Sequence, residues 1–368
     1  MSTTRSIKSF TFAATVIAIL FITMGECSRP SYIEYSTVPG YFLQDDPATD
    51  PESFDYVATG FGLINQTYDA DATFDPRGEK TQWERFEHQV RSLNEGCDHD
   101  TQYKVLYMGR HGEGHHNVAE EFYGTEAWDC YWSLLDGNGT ATWDDAHLTE
   151  EGRAQAMVAN GAWRTQIERK VPLPESYYTS PLHRCLTTGQ ITFTGLPLPE
   201  SQPFVPLVKE VCNSHKNPLK TAEEETNRRN TQLLRETLGI HTCDRRSTRS
   251  AIHHEFPSFP IEPNFTEDDE LWDPKLRESD SARTARLRQF LDDVFSHDDN
   301  QFISFTAHSG AITSILEAVK HREFKLNTGA MIPVLVKAER VYGQPPPTVI
   351  DPPTTAPTCS VDPTATPN

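Results

Sequence analysis

Positive charge is what this chain has least of. Thirty-three Lys and Arg stand against 53 Asp and Glu, a formal net charge of −20. That balance excludes nucleic acid and an anionic membrane surface as partners, since both need a positive face. No apolar run is long enough for an ordinary bilayer span. The longest, Phe10 to Met24, has 15 residues, against roughly 20 needed for a spanning helix. No Cys-x-x-Cys spacing occurs, so a structural zinc site is not expected. The His-Glu-x-x-His pattern of metalloproteases is missing too, and no internal repeat is visible.

The amino terminus reads as a secretory signal over residues 1–28. Arg5 and Lys8 form its basic region, Phe10 to Met24 its apolar stretch, and Gly25, Cys27 and Ser28 are small residues suited to cleavage. The alternative is an uncleaved anchor in the secretory pathway. Sequons at Asn65, Asn138 and Asn264 are compatible with secretion. Seven cysteines occur, Cys27 leaving with the signal, and the pairing of the rest is not specified by sequence. Cys359 is expected to stay free, because it lies in a Pro- and Thr-rich tail, 344–368, that lacks aromatics and should be disordered.

Residues 29–100 form a polar lead-in around one apolar knot, Phe61-Gly62-Leu63-Ile64, and are expected to pack as an arm on the core. From about 101 strands and helices alternate. Tyr103 to Met108, Ser176 to Thr179, Phe204 to Val208, Phe302 to Thr306 and Val334 to Val336 read as strands. Thr149 can cap a helix with Ala154, Met157, Val158, Gly161 and Ala162 on one face. Another helix carries Leu182, Leu186 and Ile191. Ser279 or Asp280 caps one carrying Leu287, Phe290, Leu291, Val294 and Phe295, and a last one carries Ile312, Ile315, Leu316 and Val319. The pattern predicts an α/β fold, three layers with a mostly parallel central sheet. The charged, proline-interrupted residues 213–275 are expected to form a helical insertion over the site, within a catalytic domain spanning 101–343.

Three strand ends carry groups suited to a phosphate: Arg110-His111 after the first, Arg184 just after the second, His308 after the fourth. Carboxyl ends of parallel strands are where such sheets bind ligands. The guanidiniums offer planar forks of donors. Gly112 lets the backbone approach a bound anion, and Asn117 adds a neutral donor. In so acidic a chain, a phosphate has to be held by a few concentrated arginines. A charged donor beside a potential nucleophile points to phosphoryl transfer through histidine.

Four ordered motifs carry a resemblance: Arg110-His111-Gly112-Glu113-Gly114-His115-His116-Asn117, Leu148-Thr149-x-x-Gly152, Ser180-Pro181-Leu182-His183-Arg184-Cys185 and Thr306-Ala307-His308-Ser309-Gly310. Together they resemble the histidine phosphatase superfamily in its phosphoglycerate mutase-like branch, and Thr242 to Arg246 is similar to fungal proteins of that kind. The resemblance implies that His111 is the nucleophile that becomes phosphohistidine. It implies that Arg110, Arg184 and His308 hold the phosphoryl oxygens with help from Asn117, and that Glu210 donates the proton. Two departures stand out. His308-Ser309 replaces the His-Asp of the acid phosphatase and phytase branch, and Glu210-Val211-Cys212-Asn213 lacks the mutase run Glu-Arg-His-Tyr.

The expected activity is hydrolysis of a small phosphorylated substrate, with no cofactor and no metal, the arginines and histidines supplying the charge. The alternatives are a phosphomutase and a silent phosphate-binding protein. For the chemistry, one His111 nitrogen must be unprotonated while the other donates to a fixed carbonyl. Glu113, His115 and His116 invite a metal reading, but adjacent loop histidines are more often plain polar surface. Arg228-Arg229 and Arg245-Arg246 read more readily as partners of acids than as a second phosphate site. Cys185 and Cys212 lack a base at sequence level, so a cysteine phosphatase is a poor reading.

Overall fold

The computed structural model describes residues 29–209 and 234–364. The expected leader, Glu210, Cys212 and Arg228-Arg229 lie outside the described residues. Six strands form one mixed sheet: β1 (Ser31–Thr37), β2 (Thr101–Arg110), β3 (Ser176–Thr179), β4 (Leu207–Val208), β5 (Phe302–Ala307) and β6 (Met331–Tyr342). Their spatial order is β1-β6-β2-β5-β3-β4. The β2–β5, β5–β3 and β3–β4 pairs are parallel, whereas β6 runs antiparallel to both β2 and β1, so five strands share one direction. The expected mostly parallel sheet therefore carries an antiparallel margin.

Strand β2 alternates strictly, and that alternation divides the interior. Leu106 and Met108 join a core with Leu287, Phe290, Val294, Ile312 and Ile315. Val105 and Tyr107 join another with Phe42, Phe61, Trp83, Phe86 and Trp163. Because successive side chains point to opposite faces, these are two apolar layers, one on each side of the sheet. The first is covered by α7 (Asp280–His297) and α8 (Ser309–Ala318). The second is covered by α1 (Gln82–Gly96) and α4 (Glu150–Glu168), with Phe193 at the end of α5 (His183–Phe193).

The helices start where the sequence places their caps. Thr149 Oγ1 accepts from Gly152 N–H and Ser279 Oγ from Ala282 N–H. Thr81 and Glu84 form a reciprocal capping box at α1. The buried face of α4 differs from expectation. Ala156, Ala159, Ala162 and Trp163 turn inward, while Met157 and Val158 are 66% and 53% exposed. Two apolar stripes compete on this helix, and close packing against α5 favours the small alanines over the larger side chains.

Several boundaries also shift. The third strand shrinks from Phe204–Val208 to two residues, Leu207–Val208. The last grows from Val334–Val336 to Met331–Tyr342, because β1 pairs with its charged outer half. The lead-in thus supplies a sheet strand as well as aromatic core. Within the expected insertion, the described residues 234–275 hold one regular helix, α6 (Arg249–Glu255), and are otherwise irregular. Buried ion pairs hold them, notably Arg235 with both carboxylate oxygens of Asp269 at 2.8 and 2.7 Å.

The tail is tied down, contrary to its composition. Cys359 is bonded to Cys130, 229 residues away. Arg277 and Thr354 exchange two backbone hydrogen bonds, Ser281 Oγ donates to Asp351, and Trp132 Nε1 donates to the Pro363 carbonyl. A tail whose few large apolar residues, Val349, Ile350 and Val361, stay exposed cannot anchor itself by burial; here a covalent bond and polar clips replace a core. Among the described residues, no helix is long and apolar enough to cross a membrane. Non-reducing peptide mapping should recover a Cys130–Cys359 linked pair, and reduction should make residues 344–358 the fastest site of limited proteolysis. Equal cleavage before and after reduction would refute the strap.

Candidate active site

The register of the central strands brings the predicted residues to one sheet edge. Arg110 pairs with Ala307 across β2 and β5, and Thr179 with Thr306 across β3 and β5. His111 N–H donates to the Ala307 carbonyl at 3.0 Å, and Ser180 N–H to that of Thr306 at 3.0 Å. The chain leaves all three strands at the same level. The His111 and His308 ring centroids lie 5.2 Å apart, with His116 at 5.4 Å from His111.

His111 is buried, and its Nδ1 lies 2.7 Å from the carbonyl of Gly112. A carbonyl can only accept, so Nδ1 carries the proton and Nε2 keeps its lone pair. Burial, with Arg184 and Arg110 close by, holds this imidazole well below its usual pKa. Burial also pushes His116 and His308 down. The cluster is neutral at ordinary pH, the state a nucleophilic imidazole requires.

A polar pocket of about 270 Å³ opens at this edge, lined by Arg110, His111, Asn117 and Arg184, four of the expected residues, and by His116. Arg110 donates from Nη1 to the Leu326 carbonyl at 2.7 Å. Arg184 donates from Nη1 to the Cys243 carbonyl at 2.5 Å and from Nη2 to Asp244 at 2.9 Å. Each guanidinium keeps one buried Nε–H without an acceptor. Buried unpaired donors are costly, and both belong to residues that line this one pocket. Asn117 Oδ1 accepts from Gly114 N–H at 2.9 Å, which leaves its amide NH2 as the group free to donate.

Two expected ligands sit differently. His308 is fully buried alongside His111 and does not line the pocket; its Nε2 meets Ser180 Oγ at 2.7 Å. Gly112 is a packing residue, not a cradle. Its N–H donates to Thr188 Oγ1, and a Cβ there would come within 2.2 Å of the Gly152 carbonyl oxygen. A Cβ on Gly152 would in turn meet Glu113 O at 2.0 Å. Two glycines far apart in sequence thus let the start of α4 lie against the loop that carries His111.

The pocket has walls that the sequence did not announce. Glu120, Thr125, Trp128 and Asp129 come from α2 (His115–Tyr123) and α3 (Thr125–Cys130). Glu236, His241, Cys243, Asp244 and Arg277 come from the segment over the site. Only Thr242 to Arg246 had a signal, through its likeness to fungal proteins; Arg277 had none. Arg245 pairs with Asp136 and Asp144, and Arg246 donates to backbone carbonyls, so neither is a second phosphate site. Cys185 is fully buried, and burial pushes its thiol far up, as an inert cysteine requires.

His241, Cys243 and Asp244 place one ligand atom each within 4.8 Å of one another. The set does not suit a dication. Asp244 is already bound by Arg184 and Arg277, and burial raises the Cys243 thiol. Arg184 and Asp244 are both buried, so removing one strands the other's charge. Asp244→Ala is expected to cost about 3–5 kcal/mol, measured by denaturant unfolding; a loss under about 1 kcal/mol would contradict the pair's structural weight.

No protein-family profile matches the chain. Curated relatives do. A probable phosphoglycerate mutase of Arthroderma benhamiae is 55% identical over 335 residues, 91% of this chain and 93% of the relative. A probable phosphoglycerate mutase of Saccharomyces cerevisiae is 31% identical over 82% of this chain and 95% of its own. Among solved structures, the ecdysone phosphate phosphatase of Bombix mori aligns with 67% of this chain and 95% of its own, at 16% identity and a TM-score of 0.35. With the histidine, arginine and glycine motifs placed as described, the chain belongs to the phosphoglycerate mutase-like branch of the histidine phosphatase superfamily, and its site is of the phosphatase and mutase type.

Proposed function

We propose that the protein is a phosphomonoester hydrolase that works through phosphohistidine at His111, without a metal. The observation that carries this reading is a neutral His111 with Nδ1–H fixed on Gly112 O, beside two guanidiniums that each retain an unpaired Nε–H. The phosphoryl oxygens dock on Arg110 and Arg184. Nε2 of His111 attacks phosphorus, the P–O bond to the leaving group breaks, and a carboxylic acid protonates the departing oxygen. Water then attacks the phosphohistidine. The P–N bond breaks, the carboxylate takes the water's proton, and inorganic phosphate leaves. Charge on the equatorial oxygens is met by the arginines, which is most of what the transition state needs.

Purified protein should hydrolyse an aryl phosphate, be inhibited by vanadate, and keep its rate in EDTA. His111→Ala should lose at least about a thousandfold in kcat, by the scale of covalent-nucleophile losses, together with the acid-labile phosphoprotein seen on rapid quenching. Full activity in His111→Ala would remove the nucleophile assignment. The relatives' names favour a second reading, a mutase that returns the phosphoryl group to another hydroxyl. Turnover of phosphoglycerate that depends on a bisphosphate primer, with little release of inorganic phosphate, would establish it instead.

The reading includes passage through the secretory pathway. The Cys130–Cys359 disulfide supports it, as do the exposed sequon residues Asn65, Asn138 and Asn264. Protein recovered from culture medium should begin within a few residues of Ser28 and lose mass on endoglycosidase treatment. An intact Met1 on membrane-bound protein would mean an uncleaved anchor.

A further inference from the structure

The phosphate pocket is built by two different means. At its buried end, Arg110 and His111 are set by strand register, and Arg184 by the first turn of α5. At its wetter end stand Thr125, Trp128 and Asp129 on α3, and Arg277 on the irregular segment before α7. The side chains of Asp129 and Arg277 are 41% and 24% exposed, whereas His111 is 3% exposed. Neither outer support is stiff by itself. α3 has six residues, about half of what an isolated helix needs to persist. Arg277 belongs to no helix and to no strand of the sheet.

The carboxy-terminal tail is fastened to both. Arg277 N–H donates to the Thr354 carbonyl at 2.7 Å, and Thr354 N–H donates to that of Arg277 at 2.9 Å. Both backbone polar groups of Arg277 are thus satisfied by the tail. Five residues on, Cys359 is bonded to Cys130, the last residue of α3. Ser360 Oγ donates to Glu126 on the same helix. Five residues of fully extended chain reach about 18 Å at most, so the two anchors limit how far these parts of the wall can separate. Pro352 and Pro353 precede the first anchor and Pro357 lies between the two. Fixed φ angles make such a segment a stiff spacer that loses little chain entropy when held.

We propose that the tail is a specificity-determining strap. Thr354 and Cys359 are positioning residues that fix Arg277 relative to α3, and with them the room left for the non-phosphate part of the substrate. This rests on the pocket being the substrate site, as proposed above, and adds which stretch of chain selects the leaving group. The phosphoryl oxygens dock at the buried end, which strand register holds without the strap. Loosening the strap therefore acts on substrate choice and affinity and spares the phosphoryl chemistry.

The test uses the full chain, with p-nitrophenyl phosphate as a narrow substrate, 1-naphthyl phosphate as a wide one, and inorganic phosphate as a probe of the buried end. The double variant Cys130→Ser, Cys359→Ser removes the covalent anchor. Thr354→Pro removes the N–H that the Arg277 carbonyl accepts and leaves the disulfide in place. In each, KM for the narrow substrate should rise about three- to tenfold, the scale of one or two wall side chains losing their order. The wide substrate should lose less, so the wide-to-narrow ratio of kcat/KM climbs. The kcat for the narrow substrate and its inhibition by inorganic phosphate should stay within about twofold, because uniform binding alone was lost. Unchanged KM and ratio in both variants would overturn the proposal. So would parallel losses in kcat, KM and phosphate inhibition, which would make the strap a support of the whole fold. Failure of the parent reading looks different: unaltered protein that neither turns over either phosphate nor is stabilised by vanadate removes the pocket assignment, and this inference with it.

Discussion

The buried pair of Arg184 and Asp244 is the contact on which the pocket depends. Arg184 sits in the first turn of α5, fully enclosed, and a charge so placed is tolerable only with a partner. Asp244 comes from a segment with little regular structure, next to Cys243, which joins a small apolar cluster with Trp128 and Trp143. The pair therefore does two jobs. It neutralises the guanidinium just enough to keep it folded in, and it ties the irregular segment to the sheet edge. That leaves one Nε–H of Arg184 as a buried donor without an acceptor. Arg277, on the other oxygen of Asp244, extends the same network to the outer wall.

The chemistry follows from what surrounds His111. Buried His116 and His308 flank His111 at ring-centroid distances of 5.4 and 5.2 Å, and two arginines stand beside it. Such a group cannot carry charge on every member, so the imidazoles give up their protons and the arginines keep theirs. The result is a neutral imidazole next to fixed cations, with the tautomer set by one backbone carbonyl.

Much of this was legible in the chain because the motifs lie at ends of strands with clear patterns. Val105 to Met108 and Phe302 to Phe305 are apolar in the manner of a sheet covered on both faces, so Arg110, His111 and His308 had an address. What was misread had its cause in tertiary contacts. Lys337, Glu339 and Arg340 look like the end of a strand, yet β2 pairs as far as Glu339 and β1 as far as Tyr342, so the strand reaches 12 residues. Met157 and Val158 look like core, but the alanine stripe fits closer to α5. Gly112 looks like an anion cradle and proves to be half of a glycine contact whose other half, Gly152, lies 40 residues on. Arg277 and Asp129 belong to no pattern; only the folding of separate segments over the sheet edge makes them neighbours.

The bond between Cys130 and Cys359 sets an order of events during biosynthesis. Cys130 emerges early, on a short helix that also bears Asp129, while its partner arrives 229 residues later, nearly at the chain's end. Throughout that interval Cys97, Cys185 and Cys243 are rival thiols among the described residues, and the sequence adds Cys212. Burial of Cys185 and Cys243 in the interior takes both out of that competition once the core has closed. The covalent lock on the outer wall of the pocket cannot close until the chain has been made as far as Cys359.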